Sequence, residues 1–175
     1  MTHTPSLPPP FVRQMQTLLG AEYADFAAAL QTPPPVSVRL NPLRGAFVHP
    51  FSTLPAVPWH PEGRYLPERP VFTLDPAFHA GAYYVQEASS MFLHEVLRQV
   101  VDFSQKLKIL DLCAAPGGKS TLIASMLHPA KDLLVSNEVI RSRVNSLREN
   151  IEKWGAPHTA VSSAEATDFA GLDDW

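Results

Sequence analysis

A short segment near the middle of the sequence has the residue types of a ligand-binding turn. An apolar run at 109–112 is followed by small residues, a proline and two adjacent glycines, and good helix formers begin at Leu122. This order predicts a buried strand, a tight turn and the start of a helix. Backbone N–H groups at a helix start attract anionic or polar ligand groups. Because Gly117 and Gly118 can adopt positive φ and admit a ligand close to the backbone, we predict a cofactor-binding loop.

The motifs that this segment does not match narrow the choice of cofactor. A phosphate-binding loop of the form G-x-x-x-x-G-K-[ST] requires glycine where this sequence has Cys113,. The dinucleotide pattern G-x-G-x-x-G has no counterpart either. The acid Glu138 follows the next predicted strand, about twenty residues beyond the loop, where a bound ribose would present its hydroxyl groups. This combination favours an adenosine cofactor without phosphates, and S-adenosylmethionine is the clearest candidate.

The segment DLCAAPGGKST at 111–121 also resembles the cofactor motif of the RNA 5-methylcytosine methyltransferases of the Sun family. Further stretches that resemble this family are VSVRLNPLRG at 36–45, YYVQEASSM at 83–91 and SNEVIRSRVNSLRENIEKWG at 136–155. The resemblance extends over almost the whole chain but corresponds only to the first part of a family member. It implies an α/β fold with a Rossmann-like S-adenosylmethionine-dependent methyltransferase sheet. It also implies that the intact protein methylates cytosine in RNA, with ribosomal RNA as the first expectation and transfer RNA as the alternative.

The resemblance also assigns cofactor contacts to individual residues. The implied binding segment consists of Cys113, Ala114, Ala115, Pro116, Gly117, Gly118 and Lys119. The charge of Lys119 would attract the methionine carboxylate, and Glu138 would accept hydrogen bonds from the ribose hydroxyls. Family members place an Asp-Ala pair after the third strand, against the adenine amino group. Alignment through the following alanine puts Glu165 at this position, with Asp168 as the alternative. Asp111 either binds near the methionine amino group or caps the turn.

Methylation of carbon 5 of cytosine needs a thiolate that adds to carbon 6, because the ring carbon is otherwise a weak nucleophile. In the resembled family the two working cysteines lie beyond the cofactor half of the sheet, whereas this chain has one cysteine, Cys113. We interpret Cys113 as a small, mostly buried residue that packs beside the cofactor. We therefore assign no catalytic residue and expect the chain to bind cofactor without methylating RNA. The histidines show no metal-ligand spacing, so no metal site is predicted.

The elements that would position this loop alternate as in a parallel α/β sheet. The pattern predicts strands at 107–112, 133–136 and 159–162, and helices at 118–127 and 140–154. This alternation is typical of a βαβαβ half-sheet. A further helical pattern is predicted at 91–100, with a capped start in the preceding segment 86–90,. Such a half-sheet lacks strands beyond its first strand, so we expect the sequence to be truncated after Trp175.

The distribution of proline sets the first part of the chain apart. Of the 18 prolines, only Pro116, Pro129 and Pro157 lie beyond residue 76. Since proline removes a donor and fixes φ, we predict a small Pro-rich α+β region at 1–80 and the truncated methyltransferase half at 81–175. The elements predicted in the first region are helices at 11–20 and 22–31 and strands at 36–40, 57–59 and 71–74.

Positive and aromatic residues of the Pro-rich region are candidates for RNA contacts through phosphates and stacked bases. The candidates are Arg39, Asn41, Arg44, Arg64 and Arg69, with Trp59, Tyr65 and Phe72 nearby. An equally good interpretation is that these arginines are scattered and solvated around a small core.

The overall composition is that of a globular protein. Of the 175 residues, 45% are hydrophobic and 18% are charged, and the net charge of −3 gives no global sign of a nucleic-acid binder,. A single cysteine excludes an internal disulfide and is typical of a reducing compartment,. No apolar run has the length of a membrane span. We therefore predict a cytoplasmic protein without membrane association and leave its oligomeric state open. The alternative functions are a P-loop-like nucleotide hydrolase and a non-catalytic RNA-binding module.

Overall fold

The computed structural model describes residues 7–45 and 49–171. The chain divides into two compact units, Met1–Pro35 and Val36–Trp175. The domain boundary at 80/81 that proline content suggests remains a prediction. A strand on its far side, Tyr83–Val85, pairs with a strand on its near side, Val36–Leu40.

The first unit contains two helices, as predicted. Helix α1 spans Pro9–Leu19 and begins with proline, which suits a first turn that needs no donor,. It ends at Gly20, whose φ of 54° takes the chain out of the helix. A 3₁₀ turn, Gly20–Glu22, leads to helix α2 at Tyr23–Ala29. The rings of Phe11 and Phe26 are 6.3 Å apart, so the two helices share an aromatic contact.

The second unit opens with a three-stranded antiparallel sheet. Its strands are β1 (Val36–Leu40), β2 (Gly63–Leu66) and β3 (Tyr83–Val85), in the order β2-β1-β3. Short helix α3 (Pro76–His79) precedes β3, and single 3₁₀ turns lie at Pro42–Arg44, Pro50–Thr53 and Phe72–Leu74. The sheet buries a core of Val38, Leu66, Phe72, Ala82 and Tyr83.

The prediction of β1 is confirmed, but the strands predicted at 57–59 and 71–74 are wrong. Residues 58 and 59 form a turn, and Pro58 has no N–H to donate to a strand ladder,. Phe72–Leu74 is a 3₁₀ helix in which Phe72 is 8% exposed and Leu74 is 80% exposed. Prolines at 70 and 76 flank this turn and limit an extended run.

Two short helices follow the antiparallel sheet where one was predicted. Helix α4 spans Ala88–Met91 and helix α5 spans Leu93–Val100, with Phe92 between them. The predicted capped start is wrong, because Glu87 stands at the N-cap of α4 without a side-chain hydrogen bond. The serines of the 86–90 segment fall inside α4 instead of before it, which explains the lost cap.

A parallel sheet forms the rest of the unit and confirms the α/β fold class. Its strands are β4 (Lys108–Asp111), β5 (Leu133–Asn137) and β6 (Thr159–Ser162), in the order β4-β5-β6. Helices α6 (Gly118–Met126) and α7 (Arg141–Trp154) connect them, and a 3₁₀ helix, Ala166–Phe169, follows β6. All five predicted elements are confirmed, with bounds that differ by one or two residues at most.

Helix α6 lies at the centre of the packing. Leu122 and Ala124 on this helix are 0% exposed, and Trp154 at the end of α7 is 2% exposed. A core cluster joins residues of α6, β5 and α7: Ile123, Ala124, Leu127, Leu134, Trp154 and Ala156. Helix α6 therefore packs between the parallel sheet and the end of α7. No helix within 7–45 and 49–171 is long and apolar enough to cross a membrane.

Candidate functional site

The carboxyl edge of the parallel sheet brings the predicted acids to one side of the fold. Because β4, β5 and β6 run in the same direction, their carboxyl ends meet at this edge,. Asp111 ends β4, Glu138 directly follows β5, and Glu165 lies three residues after β6. Loop 113–119 leaves the same edge and enters α6. This edge of the sheet is therefore the candidate site.

The loop turns sharply at Gly117, and the backbone there requires glycine. Gly117 has a φ of 112° and is the N-cap of α6, which no side chain of the described residues caps. A Cβ at this position would lie 3.4 Å from both Leu147 and Asn150. The Gly117 N–H donates to the Ala114 carbonyl at 2.7 Å, and the preceding Ala115–Pro116 peptide is cis.

The prediction of a positive φ is wrong for Gly118, because this residue is already the first of the helix. Its Cα instead faces β3 and Gln86, where a Cβ would make ordinary van der Waals contacts. A Cβ on Gly118 would lie 3.4 Å from Tyr84 Cε1 and 3.6 Å from Gln86 Nε2. The two glycines thus have different roles, one in the turn and one in the contact with β3 and its continuation.

Side chains of the loop divide into a buried pair and an exposed set. Ala114 and Ala115 are 4% and 7% exposed and pack against Leu147 and Ile151 of α7. Cys113, by contrast, is exposed, so the prediction of a mostly buried cysteine is wrong. The alanines fill the interior beside α7 and leave the thiol on the outer side of the loop. Lys119 is exposed as well.

Glu138 is the most unusual group at this edge. It is 2% exposed, and its Oε1 accepts a hydrogen bond from the Ile140 N–H at 3.0 Å. Its Oε2 is buried and has no hydrogen-bond partner among the described residues, although Arg143 Nη1 lies 3.2 Å away. Arg143 also donates through Nη2 to the Ala115 carbonyl. Oε2 is thus ion-paired with Arg143 but accepts no hydrogen bond from the described residues, so it can still accept one from a ligand beside the loop.

Asn137 is a residue of this site that the sequence analysis missed. It is 1% exposed, and its Nδ2 donates to the Leu112 and Ala164 carbonyls at 3.3 and 2.9 Å. Its Oδ1 accepts from Ser162 Oγ and the Ala164 N–H at 3.0 and 2.9 Å. The amide thus ties the segments after β4 and β6 to the end of β5. The available signal was its place beside Glu138 in the string Ser-Asn-Glu at a predicted strand end.

The two remaining acids are both engaged in local turns. Asp111 Oδ2 accepts from Ser120 Oγ at 2.7 Å, which matches the capping alternative. Glu165 is exposed and forms a capping box with Asp168, whose Oδ2 accepts from the Glu165 N–H at 3.0 Å. Both candidates for the adenine contact therefore lie in one turn, and the choice between them remains a prediction.

A cavity of about 370 Å³ lies beside the loop on the side of the antiparallel sheet. Its lining residues are Tyr84, Val85, Gln86, Glu87, Ser90, Cys113, Ala114, Ala115, Pro116, Gly118 and Lys119. Six of the seven predicted loop residues thus line an open space, whereas Gly117, Glu138 and Glu165 lie outside this lining. The space suits a group that approaches the loop from the antiparallel side.

Three of the predicted RNA contacts are wrong, because their side chains are buried in the fold. Arg39, Asn41 and Phe72 are 0%, 6% and 8% exposed. The Asn41 amide donates to the Gly81 and Trp154 carbonyls at 2.8 and 2.9 Å. These residues join parts of the second unit and do not reach its surface.

The other candidates for RNA contacts remain predictions. Arg44 and Arg69 are exposed, while Arg64, Trp59 and Tyr65 are partly buried. Arg64 donates to the Ser52 and Pro61 carbonyls at 3.1 and 2.7 Å, which limits its reach. In the described part of the chain, no group of three or more His, Cys, Asp or Glu side chains is arranged to hold a metal ion.

Comparison with known proteins adds the family. Residues 7–88 match the model of the N-terminal domain of 16S rRNA methyltransferase RsmF. Residues 98–173 match the model of 16S rRNA methyltransferase RsmB/F. Together these two matches extend over most of the chain.

Individual relatives agree with the family models. The ribosomal RNA small subunit methyltransferase F of Vibrio cholerae serotype O1 is 36% identical over 178 residues, which cover 95% of this chain and 37% of the relative. The protein of the same name from Erwinia tasmaniensis is 34% identical over 97% of this chain and 38% of its own length. The chain thus spans well under half the length of these relatives.

A solved structure shows the same fold. A methyltransferase homolog protein from Pyrococcus horikoshii is similar with a TM-score of 0.66 and 22% identity, over 94% of this chain and 59% of that protein. At this identity the likeness concerns the fold alone. The sequence resemblance, the two family models and the relatives agree, and the chain belongs to the 16S rRNA methyltransferase RsmB/F family.

Proposed function

We propose that this chain is the S-adenosylmethionine-binding part of an enzyme that forms 5-methylcytosine in 16S ribosomal RNA. The observation that carries the proposal is Glu138, a buried carboxylate with an open oxygen beside a glycine turn. The names of the relatives support ribosomal RNA as the substrate. The resemblance of 111–121 to the Sun family supports cytosine carbon 5 as the position.

The residues at the carboxyl edge fit an adenosine group without phosphates. Glu138 Oε2 is paired with Arg143 but accepts no hydrogen bond from the described residues, so it suits a hydroxyl donor, whereas the negative carboxylate repels a phosphate,. We assign Glu138 to the ribose hydroxyls for this reason. This charge also argues against the nucleotide hydrolase considered above, as does the methyltransferase family of the relatives.

The loop residues complete the proposed site. Residues 113–119 would present backbone N–H groups and the start of α6 to the methionine portion, and exposed Lys119 would attract its carboxylate,. Glu165, or Asp168 in its place, would contact the adenine amino group. When bound, S-adenosylmethionine supplies an electrophilic methyl group on its sulfonium sulfur.

We further propose that the 175-residue chain does not turn over by itself. Its one cysteine, Cys113, lies in the cofactor loop, and cytosine methylation needs a thiolate at carbon 6 of the base,. Incubation with tritiated S-adenosylmethionine and 16S ribosomal RNA should give no 5-methylcytosine. Detection of the modified base with the chain alone would overturn this part of the proposal. Parallel reactions with transfer RNA examine the alternative substrate.

Calorimetric titration tests the cofactor site. We expect S-adenosylmethionine to bind the wild-type chain and ATP to bind far more weakly. Glu138→Gln should weaken the binding of S-adenosylmethionine by about 10- to 100-fold, because hydrogen bonds to a charged group usually contribute about this much. Glu152→Gln, at an exposed position of α7, is the matched control and should leave the affinity unchanged. Equal affinities in Glu138→Gln and the wild type, or tighter binding of ATP, would contradict the proposal.

The cytoplasmic location and the lack of membrane association that composition suggests remain predictions. They fit an enzyme whose substrate is ribosomal RNA.

A further inference from the structure

A fully buried arginine lies directly beneath the start of α6. Arg39, on the central strand of the antiparallel sheet, is 0% exposed. Its Cζ lies 4.3 Å from the centre of the Trp154 ring and 5.9 Å from that of Tyr84. The guanidinium thus packs against two aromatic rings, an arrangement that favours Arg over Lys,.

The hydrogen bonds of Arg39 converge on the first turn of α6. Nη2 donates to Thr121 Oγ1 at 2.6 Å and to the Gly118 carbonyl at 3.3 Å, and Nη1 donates to the Thr121 carbonyl at 3.4 Å. Nε donates to Gln86 Oε1 at 2.8 Å. The Gln86 amide in turn donates to the same Gly118 carbonyl at 3.3 Å. Two side chains from the antiparallel part therefore hold one carbonyl of α6.

The energetic setting of Arg39 is unusual for a residue with a purely structural task. All four acceptors are neutral, and no carboxylate within the described residues forms an ion pair with it. Burial lowers the pKa of Arg39 to about 9, so the side chain is still protonated at neutral pH. Buried charges without an ionic partner are costly, and apolar residues often replace buried ionic groups without loss of stability. A precise geometric role accounts for the cost better than stability does.

We infer that Arg39 is a positioning residue for the cofactor site: its planar guanidinium fixes the first turn of α6, and thereby loop 113–119, against the antiparallel sheet. This inference rests on the proposed function for the identity of the ligand. The contacts on Gly118 support it, since Gly118 is the first residue of α6 and its carbonyl accepts hydrogen bonds from both Arg39 and Gln86. Arg39 also holds Thr121, one turn further along α6, through the Thr121 carbonyl and Oγ1.

Two variants separate positioning from general stability. Arg39→Lys keeps the charge but loses the fork of donors, and Arg39→Met keeps apolar bulk but loses both. Leu66→Ala is the matched control, because it removes volume from the core of the same sheet and leaves α6 untouched. Calorimetry with S-adenosylmethionine should be run at a temperature where each variant is at least about 95% folded.

We expect both Arg39 variants to bind S-adenosylmethionine at least tenfold more weakly, and Leu66→Ala to bind within twofold of the wild type. If Arg39→Met does not fold, Thr121→Val replaces it, since this change removes the Oγ1 acceptor of Nη2, together with the hydrogen bonds that Oγ1 donates to the Gly117 and Gly118 carbonyls. Wild-type affinity in Arg39→Lys together with Arg39→Met or Thr121→Val would overturn the inference.

Hydrogen exchange of the ligand-free chain gives a readout that does not depend on the cofactor. Amides of 118–123 should exchange at least tenfold faster in Arg39→Lys, whereas amides of 144–151 in α7 should not change. Leu66→Ala should not produce this local pattern. If the wild type fails to bind S-adenosylmethionine but the local exchange effect appears, the proposed function fails and the positioning role stands. If exchange in Arg39→Lys increased by the same factor in α6 and in α7, the positioning role would be overturned.

Discussion

The two sheets of the second unit bury polar side chains in different ways. Beside the antiparallel sheet, Arg39, Asn41 and Gln86 all donate to oxygens inside the fold. Beside the parallel sheet, several buried side-chain atoms of the described residues lack a hydrogen-bond partner. These atoms belong to Ser136, Glu138, His158 and Thr159, and His94 on α5 is the exception outside the parallel part.

This difference suggests different roles for the two sets of buried polar side chains: those beside the antiparallel sheet hold the fold together, and those beside the parallel sheet are available to a ligand. A buried polar group without a partner costs about 1–3 kcal/mol, so it persists where a ligand or water completes it. Glu138 is the carboxylate among these groups, and it lies at the edge where loop 113–119 begins. Apart from Arg39, which contacts the first turn of α6, we therefore expect changes beside the antiparallel sheet to alter stability first. Changes at the parallel edge should alter cofactor affinity as well.

The largest effect expected is in Gly81→Ala, which tests how firmly the antiparallel sheet is joined to α7. Gly81 has a φ of 69°, and a Cβ there would lie 2.0 Å from the Lys153 carbonyl oxygen. Backbone would have to move, so we expect a loss of more than about 4 kcal/mol in the free energy of unfolding, or no folding. Urea unfolding measures this loss. Gly45→Ala, whose Cβ would have its nearest neighbour at 3.6 Å, should change stability by less than about 0.5 kcal/mol,.

A pair of asparagine variants compares the two sheets directly. Asn137→Ala removes a buried amide with four hydrogen bonds at the parallel edge, and Asn41→Ala removes one with three from the antiparallel side. We expect each to lose roughly 2–4 kcal/mol by urea unfolding. Of the two variants, only Asn137→Ala should also bind S-adenosylmethionine more weakly, by about tenfold. Exposed Asn145→Ala on α7 is the control. If both variants lost the same amount of S-adenosylmethionine affinity, the proposed difference between the two sheets would be contradicted.

A smaller effect concerns pH and the antiparallel side. His60 is 5% exposed, and burial, aided by the charge of Arg39, lowers its pKa from 6.5 to about 3. Below pH 6.5, His60 therefore becomes protonated in the unfolded chain but stays neutral in the folded chain. Stability is retained above this pH and is lost progressively as the pH falls towards 3, with about 2 kcal/mol lost at pH 5,.

Urea unfolding of the wild type and His60→Gln at pH 7 and pH 5 measures this contribution. The loss between the two pH values should be smaller in His60→Gln. Exposed His79→Gln should behave like the wild type. An unchanged pH dependence in His60→Gln would show that another group is responsible.

The smallest effects are expected at the turn after β6. Glu165→Gln and Asp168→Asn each weaken the same capping box, so both should lose less than about 1 kcal/mol of stability,. Calorimetry should nevertheless show weaker S-adenosylmethionine binding in Glu165→Gln and unchanged binding in Asp168→Asn. The reverse result would assign the adenine contact to Asp168.

The sequence predicts the parallel part of the fold well because its signals are local. Strands β4, β5 and β6 are apolar runs, and glycine ends α7 with a φ of 78° at Gly155. Strand β2, in contrast, contains glycine and arginine, and β3 has only three residues. Both exist because β1 pairs with them from either side, a long-range effect that local propensity does not contain,.

The site shows the same limit. The strand-end position of Glu138 follows from the order of elements, but its burial and its open oxygen depend on Arg143 and the loop. Because arginine is usually exposed, the sequence places Arg39 at the surface, either as an RNA contact or as a solvated charge, and only its packing against Trp154 reveals its burial,. Asn137 is not predicted either, because an asparagine at a strand end is usually a turn residue.

The outward position of Cys113 has a practical consequence. It is the sole thiol of the chain, it is exposed, and it lines the cavity beside the loop. A maleimide dye would therefore label the unaltered polypeptide at one known place. Because a bound small molecule in that cavity would shield the sulfur, the speed of labelling becomes a built-in gauge of occupancy that needs no engineered reporter.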